Sequence, residues 1–460
     1  MRVRADDAGA TVTAPGFPTA SPKDVGGRAV RIAGVLGARA LRRGWSSAKA
    51  VVTGRPAADR DTWLADTITD LGPAFVKVAQ MLSTRPDLVS PRVCRALGDL
   101  YDDVRPIDTA ELLPLLEQRL GHGVARTIAS RPVASGSIAC VYRATLADGR
   151  EVAVKVRRPG IERVLGTDLA IIRLVTRLVA RVPMLRGVPV VEIVSQLTGS
   201  VYEQLDFAME RTNLDRLHRN LSMFPDVRVP RVHHEMCGED VVVMEFIHDL
   251  RRLQPADLTE EDRKRAVTSA LHAVYQMLFH DGLVHCDLHP GNLYLRQDGR
   301  VVIVDAGFTV TLRPQAQDKF ASFFHQMTKG DGQRCAEIVL STATPGPRTD
   351  TEGFCRELRA LVEAGTGVRA ADFDLVSFAT KLFDIQRRYG LYADPQFVFP
   401  ILSLLVLEGT VREFAPDIDF QDEAVPFLVQ GTLERAVRAW QASLAEDEQS
   451  ARTPSAPEVG

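Results

Sequence analysis

A chain of 460 residues with 45% apolar content is long enough for two or three domains around a sizeable core. Its net charge of −3 gives no general attraction to nucleic acid, so no nucleic-acid partner is expected. Six scattered cysteines without a C-x-x-C pair, and no secretory signal, point to reduced thiols in a cytoplasm.

Residues 1–25 are rich in Ala, Gly, Pro, Ser and Thr and read as a disordered tail. Residues 26–60 hold a basic amphipathic segment, 28-RAVRIAGVLGARALRRGWSSAKAVV-52, in which Arg28, Arg31, Arg39, Arg42, Arg43 and Lys49 surround apolar residues near helical spacing. Two uses stay open for it: peripheral contact with an anionic membrane at its inner face, or packing on the domain behind it. A cleaved targeting peptide is disfavoured by Asp6, Asp7 and Asp24, because such peptides are poor in acids. Residues 61–125 read as helices separated by Pro86, Pro91 and Pro106.

Near Arg131 the texture changes. The stretch 138-IACVYRATLADGREVAVKVRR-158 alternates apolar and polar residues on both sides of an Ala-Asp-Gly turn, which predicts a β-hairpin. A helical stretch from about Asp168 to Asn220 and the strand 240-DVVVMEF-246 complete a small β-rich unit with one helix over 126–250. Residues 251–432 read as helical apart from the apolar run 301-VVIVD-305. The most apolar run, 397-FVFPILSLLVLEG-409, is broken by Pro400 and stopped by Glu408, short of the ~20 residues a membrane span needs, and reads as a buried core helix. Residues 433–460 read as a polar tail.

The chemistry concentrates in 285-HCDLHPGN-292 and 305-DAG-307. Asp287 and Asn292 are five residues apart, the Asp-to-Asn interval of a kinase catalytic loop, with His285 two before the Asp. Asp305 ends an apolar strand and takes the place of the Asp in D-F-G. In that template Asp287 is catalytic, while Asn292 and Asp305 supply the hard oxygen ligands that Mg2+ prefers. Upstream, 134-ASGSIACV-141 sets Ala134, Gly136, Ala139 and Val141 at the four key places of a nucleotide loop, with Ser135 and Ser137 between them. Small residues there let backbone N–H groups approach phosphates. Lys155 ends the second hairpin strand, where an inward ammonium needs a partner, and Glu210 on the following helix offers one. Met244-Glu245-Phe246 falls at the interlobe hinge, where the backbone around Glu245 and Ile247 would meet adenine. A zinc site from His285, Cys286 and His289 is set aside. Three ligands so close in sequence rarely reach one tetrahedral ion, and zinc leaves the other motifs without a role.

Three stretches carry a closer resemblance. The segment 72-GPAFVKVAQMLSTRPDLV-89 looks like the K-x-G-Q element, 204-QLDFAMERTN-213 is similar to the E-x-D helix, and 285-HCDLHPGN-292 is close to the H-x-D-P-H-P-G-N loop of the UbiB/AarF-type atypical kinases associated with ubiquinone biosynthesis. The match runs from about residue 65 to 415. It implies an α+β, bilobal protein-kinase-like fold with an N-terminal helical extension covering the nucleotide site, an N-lobe over 126–250 and a helical C-lobe over 251–432. It further implies that Lys77 and Gln80 come from a helix laid over that site, that Asp206 belongs to the E-x-D element, and that Lys155 and Glu210 form an ion pair. ATP and Mg2+ are the implied cofactors, and the implied partners are a lipid or isoprenoid small molecule and the proteins of a biosynthetic complex. The sequence departs from the family pattern at Ala79, Gln204, Leu288 and Ala306, and at Gly136 in the usually Ala-rich loop. Glu203 is adjacent to Gln204, but one helical step would turn it about 100° away. An ATPase or atypical kinase with little generic protein phosphorylation is the leading expectation. A small-molecule kinase and a pseudokinase scaffold are the alternatives.

Overall fold

The computed structural model describes residues 21–53, 60–83, 88–89, 91–98, 107–120, 127–181, 190–252, 258–288, 292–346, 349–365 and 374–452. The segments 1–20 and 453–460 of the expected tails, Pro86 and Pro106, and His289 with its Pro-Gly neighbours lie outside these residues.

Five helices come first: α1 (Pro22–Thr53), α2 (Arg60–Leu71), α3 (Pro73–Ser83), α4 (Pro91–Gly98) and α5 (Thr109–Leu120). Helix α1 begins at Pro22, so residues 22–25 are helical rather than part of a disordered tail. Asp24 there pairs with Arg163 at 2.7 Å. Helix α2 stops at Gly72, whose φ of +108° suits glycine, and Pro73 starts α3, where no N–H is needed. Arg28 of α1 grips the fully buried Asp168 with two bonds of 2.6 and 2.8 Å, while Arg39 bonds Asp70 at 2.7 Å. Helix α1 therefore packs on the domain behind it.

The N-lobe sheet runs in the order β1-β2-β3-β5. Its members are β1 (Ala134–Ser135), β2 (Ala139–Thr145) and β3 (Glu151–Arg157), followed after β4 (Val227–Arg228) by β5 (Val241–Glu245). Gly149, with φ +84°, makes the β2–β3 turn, as the hairpin signal predicts. One face of this sheet, with Tyr142, Val152, Val154 and Val156, is sealed by Leu112 and Leu116 of α5. Between β3 and β4 stand three helices rather than one: α6 (Ile161–Val179), α7 (Val190–Glu203) and α8 (Phe207–Leu221).

The C-lobe holds more strand than the expected run 301–305. A second sheet, ordered β4-β9-β8-β6, joins β6 (Arg251–Arg252), β8 (Leu293–Leu295) and β9 (Val301–Ile303) to the N-lobe segment β4. Strands β7 (Leu283–His285) and β10 (Thr309–Thr311) pair with each other, following α9 (Glu260–Gln276). The remainder is α10 (Pro314–Thr328), α11 (Gly332–Thr342), β11 (Ala343–Pro345), α12 (Thr351–Gly365), α13 (Leu375–Arg388), β12 (Leu391–Ala393), α14 (Pro395–Phe414) and α15 (Phe420–Arg452). Neither Pro400 nor Glu408 ends α14. Pro400 forgoes one bond inside a helix buried on every side from residue 397 to 404, and buried Glu408 accepts from the Leu375 N–H at 2.9 Å and Arg412 at 3.0 Å. No helix among the described residues is long and apolar enough to cross a membrane. Residues 433–452, expected in a polar tail, continue α15, which Arg435 ties to Asp318 at 2.5 Å.

Candidate active site

Strand alternation builds the centre of the site. Val152, Val154 and Val156 point into the core beneath α5, so Lys155 points from the opposite face of β3. Its Nζ donates to Glu210 Oε1 at 2.5 Å and to Asp305 Oδ2 at 2.7 Å, and stands 5.5 Å from the centre of the Phe207 ring. Glu210 occupies the first turn of α8. That helix starts where it does because Asp206 caps it, accepting the Met209 N–H at 2.9 Å. Asp305 follows β9, and its Oδ1 accepts the Gly307 N–H at 2.7 Å.

These neighbours set the charges. Burial alone would lower the Lys155 ammonium, but Asp305 and Glu210 together hold it above its usual value. Burial pushes the Glu210 carboxyl up to about 7 against the pull of Lys155, and Asp305 adds to that rise. Asp305 is half-buried, and against its own desolvation the Lys155 ammonium and the Gly307 N–H hold it well below the carboxylate range. Glu210 Oε2 is buried without a hydrogen-bond partner.

His285 links this cluster to the catalytic loop. Its Nδ1 accepts the Asp287 N–H at 3.1 Å, which leaves Nε2 to donate to the Asp305 carbonyl at 2.7 Å. With both ring nitrogens turned to the backbone, His285 is a positioning residue and not a zinc ligand. Burial pushes the Cys286 thiol far up, and no group of three His, Cys, Asp or Glu among the described residues is arranged for a metal. Asn292 Nδ2 donates to the Asp287 carbonyl at 2.8 Å and reaches its Oδ2 at 3.4 Å, closing the loop on itself. That bond fixes the amide orientation and keeps Asn292 Oδ1 for another role. Carboxylate and amide oxygens suit Mg2+, which draws the rest of its shell from phosphates and water.

The small-residue loop is tied down more tightly than its composition suggests. Gly136 N–H donates to Ala139 O at 2.9 Å, and Arg158 holds Gly136 O at 2.8 Å and Ser135 Oγ at 3.0 Å. Ala134 and Ser135 form β1, Ser137 is buried, and Val141 stands opposite Lys155 in the sheet register. Arg158 escaped the sequence reading, although the Arg157-Arg158 pair directly after the Lys155 strand was its only signal.

At the hinge the Glu245 N–H donates to Arg231 O at 2.8 Å, its side chain pairs with Arg228, and Ile247 is buried. The E-x-D element is not a helix: α7 ends at Glu203, and Gln204 and Leu205 form the turn before α8. The expected swing by one helical step does not apply there, because Gln204 and Leu205 lie in the turn between two helices, the second of which Asp206 caps. Lys77 and Gln80 are half-buried on α3, which packs through Ala74, Val76, Ala79 and Met81 and lies against α6 and α7. Ala306 is fully buried in the core, and Phe308, two residues on, packs edge-to-face on Phe399 at 5.1 Å.

Comparison with known proteins agrees with this layout. An ABC1 atypical kinase-like domain matches residues 99–339. The chain is 31% identical to "Probable protein kinase UbiB" of Pseudomonas fluorescens (strain SBW25), over 80% of this chain and 71% of that protein. It is 32% identical to the protein of the same name from Azotobacter vinelandii (strain DJ), over 78% of this chain and 69% of the other. A solved complex of Rv3197 with erythromycin from Mycobacterium tuberculosis shares 22% identity and a TM-score of 0.46, covering 77% of this chain and 95% of that one, a likeness too distant to bear on the site.

Proposed function

The chain belongs to the ABC1 atypical kinase-like family, the family of the UbiB proteins, and from that premise we propose that it binds ATP with Mg2+ around Lys155 and transfers or hydrolyses the terminal phosphoryl group. The pathway served is one of quinone, lipid or other isoprenoid-related synthesis. One observation carries the reading: Lys155 bridges Glu210 and Asp305, joining the N-lobe sheet, α8 and the strand end before Gly307.

On this reading Lys155 turns its ammonium to the α- and β-phosphates, and Glu210 keeps it in place. Asp305 and Asn292 would hold the metal, with Asp206 on the E-x-D side. When bound, the metal would supply positive charge against the phosphates. Asp287, held by Asn292 and His285, orients the attacking hydroxyl or water. The 134–141 loop, stiffened by Arg158, covers the phosphates, and the backbone at Glu245 and Ile247 receives adenine. Product analysis after incubation with Mg-ATP tests the proposal. Free phosphate supports an ATPase, a phosphorylated small molecule a kinase, and no product in repeated assays would leave a scaffold.

Helix α3 is taken to occupy the place of a peptide groove. Generic protein substrates are therefore expected to receive negligible phosphate. Lys77→Ala should change ATP affinity or product at least several-fold without unfolding the chain, because α3 is held by its apolar residues. Vigorous peptide phosphorylation, or nucleotide behaviour indifferent to Lys77, would sink that assignment.

Peripheral membrane contact is the other part of the reading. Arg28 and Arg39 are engaged inside the protein, but Arg31, Arg42, Val30, Leu36 and Leu41 of α1 remain exposed. Each exposed cation near an anionic surface contributes about 1 kcal/mol, so co-sedimentation with anionic vesicles should exceed that with neutral ones and fade at high salt. Equal sedimentation with both would restrict α1 to packing.

A further inference from the structure

Helix α14 packs against both strands of the β7–β10 pair, the pair that leads into the Asp287 loop and follows Asp305. In its fully buried stretch 397–404 the one polar side chain is Ser403. A serine inside a helix commonly bonds back to a carbonyl of its own helix. Ser403 Oγ instead donates to the His285 carbonyl at 2.8 Å, 118 residues away along the chain.

The strand register shows why that carbonyl needs a donor. Strands β7 and β10 are antiparallel, with the Cys286 N–H donating to Phe308 O at 3.0 Å and the Leu312 N–H to Gly282 O at 2.7 Å. Hydrogen-bonded pairs alternate along such a ladder. His285, paired with Thr309 between them, therefore turns its carbonyl away from β10. The sheet has only these two strands among the described residues, so its outer edge offers that carbonyl no ladder partner. A buried acceptor left without a donor is costly, and Ser403 supplies the donor.

A second contact lies one helical turn earlier on the same face of α14, where Phe399 meets Phe308 edge-to-face at 5.1 Å. In the D-F-G template the packing of the aromatic directly after the aspartate sets that segment. Here that place is Ala306, and the aromatic contact comes two residues later, at Phe308. One face of α14 thus touches the chain before Asp287 and the chain after Asp305.

We propose that Ser403 and Phe399 are positioning residues of the phosphoryl-transfer centre, Ser403 by fixing the His285 backbone and Phe399 by anchoring Phe308 in place of the D-F-G aromatic. The catalytic consequence rests on the ATP reading above. His285 is the junction, because its ring accepts the Asp287 N–H and donates to the Asp305 carbonyl. A shift of His285 moves Asp287 and Asp305 together. Lys155 and Glu210 stand on β3 and α8 of the N-lobe and keep their places.

Hydrogen exchange read by mass spectrometry, alongside turnover at saturating Mg2+, tests this on Ser403→Ala and Phe399→Leu. Leu358→Ala, in the buried face of α12, serves as the control for lost stability alone. Ser403→Ala should speed exchange in 283–288 and 305–311 by roughly tenfold or more relative to the 139–157 hairpin, and Phe399→Leu should do so in 305–311. Leu358→Ala should single out neither segment. Ser403→Ala should lower kcat by about tenfold or more while KM for ATP changes less than about threefold, because the step lost is alignment rather than binding. Exchange in those segments no faster than in the hairpin, or a kcat for Ser403→Ala equal to that of Leu358→Ala, overturns the proposal. Exchange is read without turnover, so a parent that yields no product overturns the ATP reading, and the Ser403 assignment is then decided by exchange alone.

Discussion

Replacing Lys155 with alanine is expected to destabilise the protein by about 3–5 kcal/mol, the cost of leaving buried charges without their partner, and to remove most of the thermal stabilisation given by Mg-ATP. Glu210 is 2% exposed and cannot recover its loss from solvent, whereas Asp305, 30% exposed, recovers part of its own. A ligand at a hundred times its Kd stabilises by roughly 2.7 kcal/mol, and hundredfold weaker binding takes nearly all of that away. The pH dependence separates the two carboxylates. Glu210, raised to about 7, contributes stability that is fully present below its unfolded value and is lost as pH rises through about 7. Asp305 is depressed, so its contribution is present above its unfolded value and is lost only in acid. Without the ammonium, Glu210 rises further, so between pH 5 and 8 the deficit of Lys155→Ala should widen once pH passes about 7. Thermal melts over that range, with and without limiting Mg-ATP, measure both effects. An unchanged ATP shift removes Lys155 from the nucleotide site, and a deficit that stays constant with pH removes the buried pair as its cause.

The parts of the site that follow a local rule were legible in the sequence. Lys155 was, because period-two alternation in 151-EVAVKVR-157 buries three valines on one face and leaves the lysine on the other. The Asp287–Asn292 spacing was, because it joins near neighbours in one loop, where the structure shows Asn292 bonded to the Asp287 carbonyl. What depends on distant partners was not. Arg28 and Asp168 are 140 residues apart, so a basic helix that packs could not be told from one that lies on lipid. Arg158 closes the small-residue loop from 22 residues away, and nothing in either segment names the other. Strands β7, β8 and β10 are three residues each, too short for alternation to show, whereas β9 stood out as the apolar run 301–305. The residues around Glu203–Phe207 carry no Gly or Pro, so only the Asp206 cap marks the break there. The 433–452 half of α15 carries polar residues and looked like a tail, but Glu434 meets His280 in the turn after α9 and Arg435 meets Asp318 of α10.

Asp305→Asn is expected to abolish the Mg2+ dependence of nucleotide binding and to lower turnover by more than roughly 100-fold, the scale of losing one preorganised charge-stabilising group. The substitution keeps the shape of the side chain. An amide oxygen can still accept the Gly307 N–H, and the His285 bond goes to the Asp305 backbone carbonyl, which does not change. What disappears is the negative charge. Lys155 then keeps Glu210 alone, so the variant should be less stable than the parent but more stable than Lys155→Ala, in which both carboxylates are stranded. With the Asp305 charge gone, Glu210 loses one of the two influences that raise it and should titrate lower. Asn292 is a poorer test, because its Nδ2 also holds the catalytic loop to Asp287, and a loss there would mix geometry with metal binding. Titrating Mg2+ at fixed ATP against Asp305→Asn and the parent isolates the charge. If the variant responds to Mg2+ as the parent does, Asp305 is a structural partner of Lys155 and the metal, if any, binds elsewhere.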